Sequence, residues 1–115
     1  MNESKAVQNL LKELRKLGWF EKISDRYKAG IPDILGCIEG AFVSVEVKID
    51  TNTTTPLQRF NLFEIIKADG VALICTYSNK DRTYTINQNK FPNAREAALW
   101  IATEARSNIN EMFSS

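Results

Sequence analysis

Histidine is absent from this 115-residue chain. That removes imidazole general bases, Ser-His and Cys-His nucleophile pairs, and most zinc sites. A catalytic metal would have to rest on oxygen ligands, which suit Mg²⁺ or Mn²⁺. Cysteine is scarce. Cys37 and Cys75 each sit inside an apolar, strand-like run, and both read as buried, reduced thiols of a cytoplasmic protein rather than as a disulfide framework. No apolar run approaches the ~20 residues of a membrane span. The N-terminus lacks the charged-then-apolar pattern of a signal peptide, so no membrane partner is expected. Repeats, low-complexity tracts and inter-domain linkers are missing too.

What remains is the composition of an ordinary globular protein, 43% hydrophobic and 25% charged, with a net charge of +1. The length predicts a single domain, residues 1–115, large enough to bury roughly 60–70% of its unfolded surface. The weak charge asymmetry favours the N-terminal end, where Lys5, Lys12, Arg15, Lys16, Lys22, Arg26 and Lys28 outnumber the acids. A solvated helix face explains that excess almost as well as a nucleic-acid partner does.

Val7, Leu10, Leu11, Leu14 and Leu17 repeat at helical spacing and predict a helix over 3–17, stopped by Gly18. Trp19 to Ile23 reads as a short strand and Ser24 to Gly30 as a polar, mobile loop. Ile34 to Ile38 and Phe42 to Ile49 form a hairpin around Glu39-Gly40. Thr55 caps a second helix that begins at Pro56 and runs to about Ala68. Val71 to Thr76 reads as a buried strand, apolar throughout. A turn over 79–82 leads to an edge strand, Thr83 to Ile86. Asn93 caps a last helix to about Phe113, with Ala94, Ala97, Ala98, Ile101, Ala105, Ile109 and Met112 facing inward. The order α-β-β-β-α-β-β-α predicts an α/β fold, a mixed sheet with helices packed on it.

The chemistry concentrates in Gly30-Ile31-Pro32-Asp33 and Val45-Glu46-Val47-Lys48. Residues two apart on a strand share a face, so Glu46 and Lys48 project together, and Asp33 reaches them if the two strands pair. Two carboxylates and an ammonium suit a divalent ion and a phosphate. Each piece has a plainer reading. Glu-x-Lys is common on a solvated strand face, Pro-Asp is turn chemistry, and Gln58 completes a capping box with Thr55. Glu3 at the start of the first helix satisfies the helix dipole. Gln58 could also face a bound phosphate or water, and Glu3 is a better candidate for an active-site acid than Glu13, which sits beside Lys12 and Lys16 on a surface.

Taken in order, Glu3, Gly-x-Pro-Asp ending at Asp33, Glu46-x-Lys48 and Thr55-Pro56-Leu57-Gln58 resemble the PD-(D/E)XK nuclease superfamily. The similarity is greatest to its VRR-NUC branch, which is itself similar to Holliday-junction resolvases. The resembling stretch runs from about Glu3 to Cys75. The segment after Asn93 lies outside it, and the loop from Asp50 to Thr55 carries fewer basic residues than a DNA-facing loop would.

The resemblance implies a restriction-endonuclease-like three-layer core, with αβββαβ order over about 3–90 and a C-terminal helix over about 93–113. It implies a Mg²⁺- or Mn²⁺-dependent deoxyribonuclease, selective for four-way junctions or flaps, that leaves 5′-phosphate and 3′-hydroxyl ends. The ion would be held by Asp33, Glu46 and the Val47 carbonyl, with Glu3. Lys48 would position the attacking water and Gln58 would orient the lysine, water or phosphate. Lys22, Arg26, Lys28 and Arg59 are the candidate contacts to the DNA backbone. A homodimer of bacterial or phage origin, working in the cytoplasm without an organic cofactor, completes the expectation. The alternatives are a catalytically inactive DNA- or junction-binding module of the same fold, and an interaction protein whose Glu46–Lys48 face is merely solvated.

Overall fold

The computed structural model describes residues 1–23 and 28–114, with side chains described to residue 108. Nine elements follow in order: α1 (Glu3–Leu14), β1 (Trp19–Lys22), β2 (Ile34–Ile38), β3 (Ala41–Ile49), α2 (Pro56–Lys67), β4 (Val71–Ser78), β5 (Thr83–Ile86), β6 (Asn89–Phe91) and α3 (Ala94–Ser114). The six strands form one sheet in sequence order. Every neighbouring pair is antiparallel except β3 and β4, which run parallel. A parallel pair needs a crossover, and α2 supplies it.

The sheet separates two helical layers. On one face Val43, Val45 and Val47 of β3 join Leu10 and Leu14 of α1 and Ile101 and Ala105 of α3 in a single core. Helix α2 covers the other face with one buried side chain, Leu62, which stands apart from that core. The mixed three-layer architecture expected from the sequence is therefore present. Among the described residues, no helix is long and apolar enough to cross a membrane.

Local chemistry accounts for the joints. Thr55 accepts from the Gln58 backbone while the Gln58 side chain accepts from the Thr55 backbone, a complete capping box behind Pro56. Asn93 accepts from the Glu96 backbone and starts α3. Glu39 and Gly40 both take positive φ, the pairing that a two-residue hairpin requires.

Four expectations are corrected. Strand β6 was not foreseen, because its turn is made by Asn87 and Gln88 at positive φ rather than by a glycine. Strand β4 is not apolar-buried throughout but alternates, leaving Ile74 39% exposed on the α2 face. Cys37 is exposed rather than buried, because it shares with Leu35 the face of β2 opposite to the core residues Ile34 and Ile38, and only Cys75 is enclosed. The first helix ends at Leu14, and the last turn before Gly18 is carried by Leu17 and Gly18 amides that both bond the Leu14 carbonyl. Of the inward face expected for α3, Ala97, Ala98, Ile101 and Ala105 are buried and Ala94 partly so, while the Ile109 and Met112 side chains lie outside the described residues.

The β1–β2 edge is closely packed at Gly36. A Cβ on Gly36 would lie 2.3 Å from the Trp19 carbonyl oxygen and 2.2 Å from the Phe20 ring. Backbone cannot yield there as a flexible side chain would. Gly36→Ala is expected to cost about 1–3 kcal/mol or more, read as a lower urea midpoint at unchanged m-value; an unchanged midpoint would contradict the packing described.

Candidate active site

The site forms where β2 begins and β3 ends. Asp33 immediately precedes β2, and its Oδ2 accepts from the Val47 backbone N–H at 2.8 Å. This bond extends the β2–β3 pairing one step before the first residue of β2 and fixes the carboxylate against the C-terminal part of β3. In a strand the N–H and C=O of one residue point to the same side, so the Val47 carbonyl also faces the Asp33 side. Gly30 makes the approach, with φ +81, in contact with α2. A side chain there would collide with Leu57 and Asn61, and Asn61 donates to the Gly30 carbonyl at 3.1 Å.

The polar face of β3 is not solvated. Ser44 is 0%, Glu46 1% and Lys48 8% exposed. Ser44 donates to the Val71 carbonyl at 3.1 Å and is satisfied. Glu46 is not. Gln58 Nε2 donates to its Oε1 at a long 3.4 Å, and its buried Oε2 has no hydrogen-bond partner among the described residues. A buried carboxylate without partners is costly and resists ionisation. The Glu46 carboxyl is accordingly pushed up to about 9, first by burial, then by the close approach and charge of Asp33, against the opposing pull of Lys48.

Glu3 completes the group from α1. Burial, and then the charge of Asp33, raises its carboxyl above the usual range, while Lys48 and Lys22 pull it down. Its position depends on Asn79, a residue the sequence did not single out. Asn79 donates to the Met1 carbonyl at 2.9 Å and to Asp50 Oδ2 at 3.2 Å, and it accepts from the Met1 ammonium. The start of α1 is thereby tied to the end of β3. Asp50 itself follows β3 at positive φ. Hydrogen bonds from Asn79 hold its carboxyl low.

The fold thus brings together Glu3, Asp33, Glu46, Lys48 and Gln58, drawn from α1, the start of β2, β3 and α2. Lys22 is close enough to act on Glu3. Lys28 and Arg59 are exposed, and Arg59 donates to the Thr54 carbonyl, while Arg26 lies outside the described residues. Glu13 pairs with Lys16 at 3.1 Å on the surface, as expected. Lys48 belongs to none of the four ion pairs among the described residues, which leaves its ammonium available to another anion. A concavity of about 520 Å³ between Asn9, Lys12, Tyr77, Arg82, Tyr84 and Arg95 shares no residue with this cluster.

Among the described residues no three His, Cys, Asp or Glu side chains converge as a ready-made metal cage. The donor set is smaller: two carboxylates and one carbonyl, all oxygen, with Glu46 Oε2 unpartnered. Mg²⁺ is commonly held in this way, through one or two carboxylates with water and substrate phosphate filling the rest. The residues present therefore fit such an ion.

No protein-family model matches the chain, and neither does any curated protein. Solved structures do. One, described as a VRR_NUC domain, shares 30% sequence identity over 70% of this chain and 89% of its own, with a TM-score of 0.55. The chain belongs to the VRR_NUC domain family. It is also similar in fold to Hjc, a Holliday junction resolvase from the archaeal hyperthermophile Archaeoglobus fulgidus, at 15% identity over 90% of this chain and 98% of that one, with a TM-score of 0.60.

The VRR_NUC cluster predicts an unusual stability profile. A carboxyl raised in the folded state keeps its proton where the unfolded chain has lost it. Its stabilising contribution is full below about 4.5 and is lost as pH rises toward about 9. In EDTA, wild-type stability should fall across that window. Glu46→Gln stays neutral and offers Asp33 an amide donor, so it should flatten the slope and gain about 1–3 kcal/mol at the alkaline end. Urea midpoints measured against pH test this, and an unchanged slope in the variant would contradict it.

Proposed function

We propose that this VRR_NUC chain is a divalent-metal-dependent endonuclease that hydrolyses phosphodiester bonds in DNA with structure selectivity, for four-way junctions or flaps. The observation that carries the reading is the buried, underpartnered Glu46 beside Asp33, Lys48 and Gln58. A fold stabilised only by its core gains nothing from such a cluster. The likeness to a VRR_NUC domain and to a junction resolvase supports the same conclusion.

Asp33, Glu46 and the Val47 carbonyl would hold Mg²⁺ or Mn²⁺, with Glu3 as an outer acid. When bound, such an ion supplies Lewis-acid polarisation of the scissile phosphate and a lowered pKa for the attacking water. The chain's own residues do the positioning. Asp33 is held rigidly by the Val47 amide, so its second oxygen is directed without further ordering. Lys48 presents its ammonium to the phosphate and stabilises charge that develops in the transition state. Gln58 bridges α2 to Glu46 and orients the water or a phosphate oxygen. Lys22, Lys28 and Arg59 would contact backbone phosphates on either side, as would Arg26. Such contacts set register rather than sequence preference.

The chain would act as a homodimer, since a two-fold pair of sites suits two strands of a symmetric substrate. Its two free cysteines suit the reducing cytoplasm of a bacterium or phage-infected cell.

Incubation with a synthetic four-way junction, a flap and a supercoiled plasmid tests the activity. Cleavage is expected in Mg²⁺ or Mn²⁺ and not in EDTA. Asp33→Asn and Lys48→Ala should each lower the rate by at least ~100-fold while DNA binding persists. Binding without cleavage in any metal would favour the inactive junction-binding module instead. Cleavage in EDTA, or undiminished cleavage by both variants, would overturn the mechanism.

A further inference from the structure

The concavity between α1, the β4–β5 turn and the start of α3 has no part in the chemistry proposed above. It holds about 520 Å³, a volume typical of small-molecule sites. Three cations line it, each from a different element: Lys12 of α1, Arg82 of the turn and Arg95 of the first turn of α3. None of the three belongs to an ion pair among the described residues. Glu13 is the one acid on the wall, and Lys16 already donates to both its oxygens at 3.1 Å. Asp81, next to Arg82, pairs with Lys90 at 3.5 Å. Like charges gathered without a counter-charge repel one another and do not stabilise the fold.

Two further features favour an anion there. Asn93 caps α3, so the positive end of a 21-residue helix lies on the cavity wall with Arg95. Arg82 stands at φ +57, where its amide donates to the Ser78 carbonyl at 2.7 Å. A glycine would adopt that conformation freely, so the turn carries an arginine where the backbone pays for it.

We propose that this cavity binds a small diphosphate-bearing molecule, such as inorganic pyrophosphate or a nucleoside diphosphate. A diphosphate carries roughly two to three negative charges near neutral pH, which three cations match. Arginine forks suit its oxygens in paired hydrogen bonds. The volume left beyond a diphosphate admits its nucleoside. A groove for a DNA strand would instead track the backbone and offer exposed ring faces for stacking. Here the tyrosines of the floor, Tyr77 and Tyr84, are 7% and 4% exposed and pack edge-to-face on each other at 4.9 Å. The ligand would bridge α1, α3 and the β4–β5 turn. That turn also carries Asn79, which holds Met1 and with it the start of α1. Occupancy would stiffen the frame that presents Glu3 without touching the cluster.

Isothermal titration calorimetry in EDTA, without DNA, tests the assignment. Pyrophosphate should bind at one site per chain, at least ~10-fold tighter than inorganic phosphate. ADP should displace it and adenosine should not. Lys12→Ala and Arg95→Ala should each weaken binding at least ~10-fold. Arg82→Gly should do the same with an undiminished urea midpoint, which separates lost binding from lost folding. Asp33→Asn should bind as wild type does. No preference for pyrophosphate over phosphate, failure of ADP to displace it, affinity indifferent to the three variants, or loss of binding in Asp33→Asn would overturn the proposal. So would displacement of pyrophosphate by a single-stranded oligonucleotide without terminal phosphates, which would assign the cavity to DNA. None of these readouts involves cleavage, so they stand apart from the nuclease reading.

Discussion

The short bond from the Val47 amide to the Asp33 carboxylate is the constraint on which the rest of the site depends. It converts the end of a strand into the edge of a polar cluster. Strand β2 begins at Ile34, yet the pairing extends one step before it through a side chain. Asp33 is thereby held beside Glu46, and that proximity, added to burial, makes the Glu46 carboxyl hard to ionise. The fold accepts an unfavourable group at the centre of its sheet, and Lys48 alone offsets it only in part. An ion of double positive charge would reverse the balance, because it favours the charged form of both acids.

Much of this was legible from residue types and spacing. Glu46 and Lys48 had to share a face once 42–49 was read as a strand, and the hairpin at Glu39-Gly40 brought Asp33 alongside. Thr55, Pro56 and Gln58 announced the start of α2 through capping chemistry. Alternation could not reveal that the polar face of β3 is buried. A period of two looks the same whether the polar side meets water or a second helical layer. Asn79 was illegible for a related reason. It reads as a turn residue, and its bonds to Met1 and Asp50 join positions far apart in sequence. The hairpin before β6 was missed because Asn87 and Gln88 adopt positive φ without the glycine that usually signals it.

The outer face of α2 belongs to the same class of feature. Phe60, Phe63 and Ile66 look like ordinary core residues in sequence. Only the placement of α2, with Leu62 as its one buried residue, shows that they point away from the sheet. The same helix presents Gln58 inward to Glu46 and its phenylalanines outward.

The central claim is that Asp33 and Glu46 form an ion-binding pair whose buried member is protonated until the ion arrives. Calorimetric titration of Mn²⁺ near neutral pH, in buffers of different ionisation enthalpy, measures the protons released on binding. The account predicts release approaching one proton per ion for the wild type, and weakened binding with almost no release for Glu46→Gln. Tight binding with no proton release, or equal affinity in the variant, would contradict it.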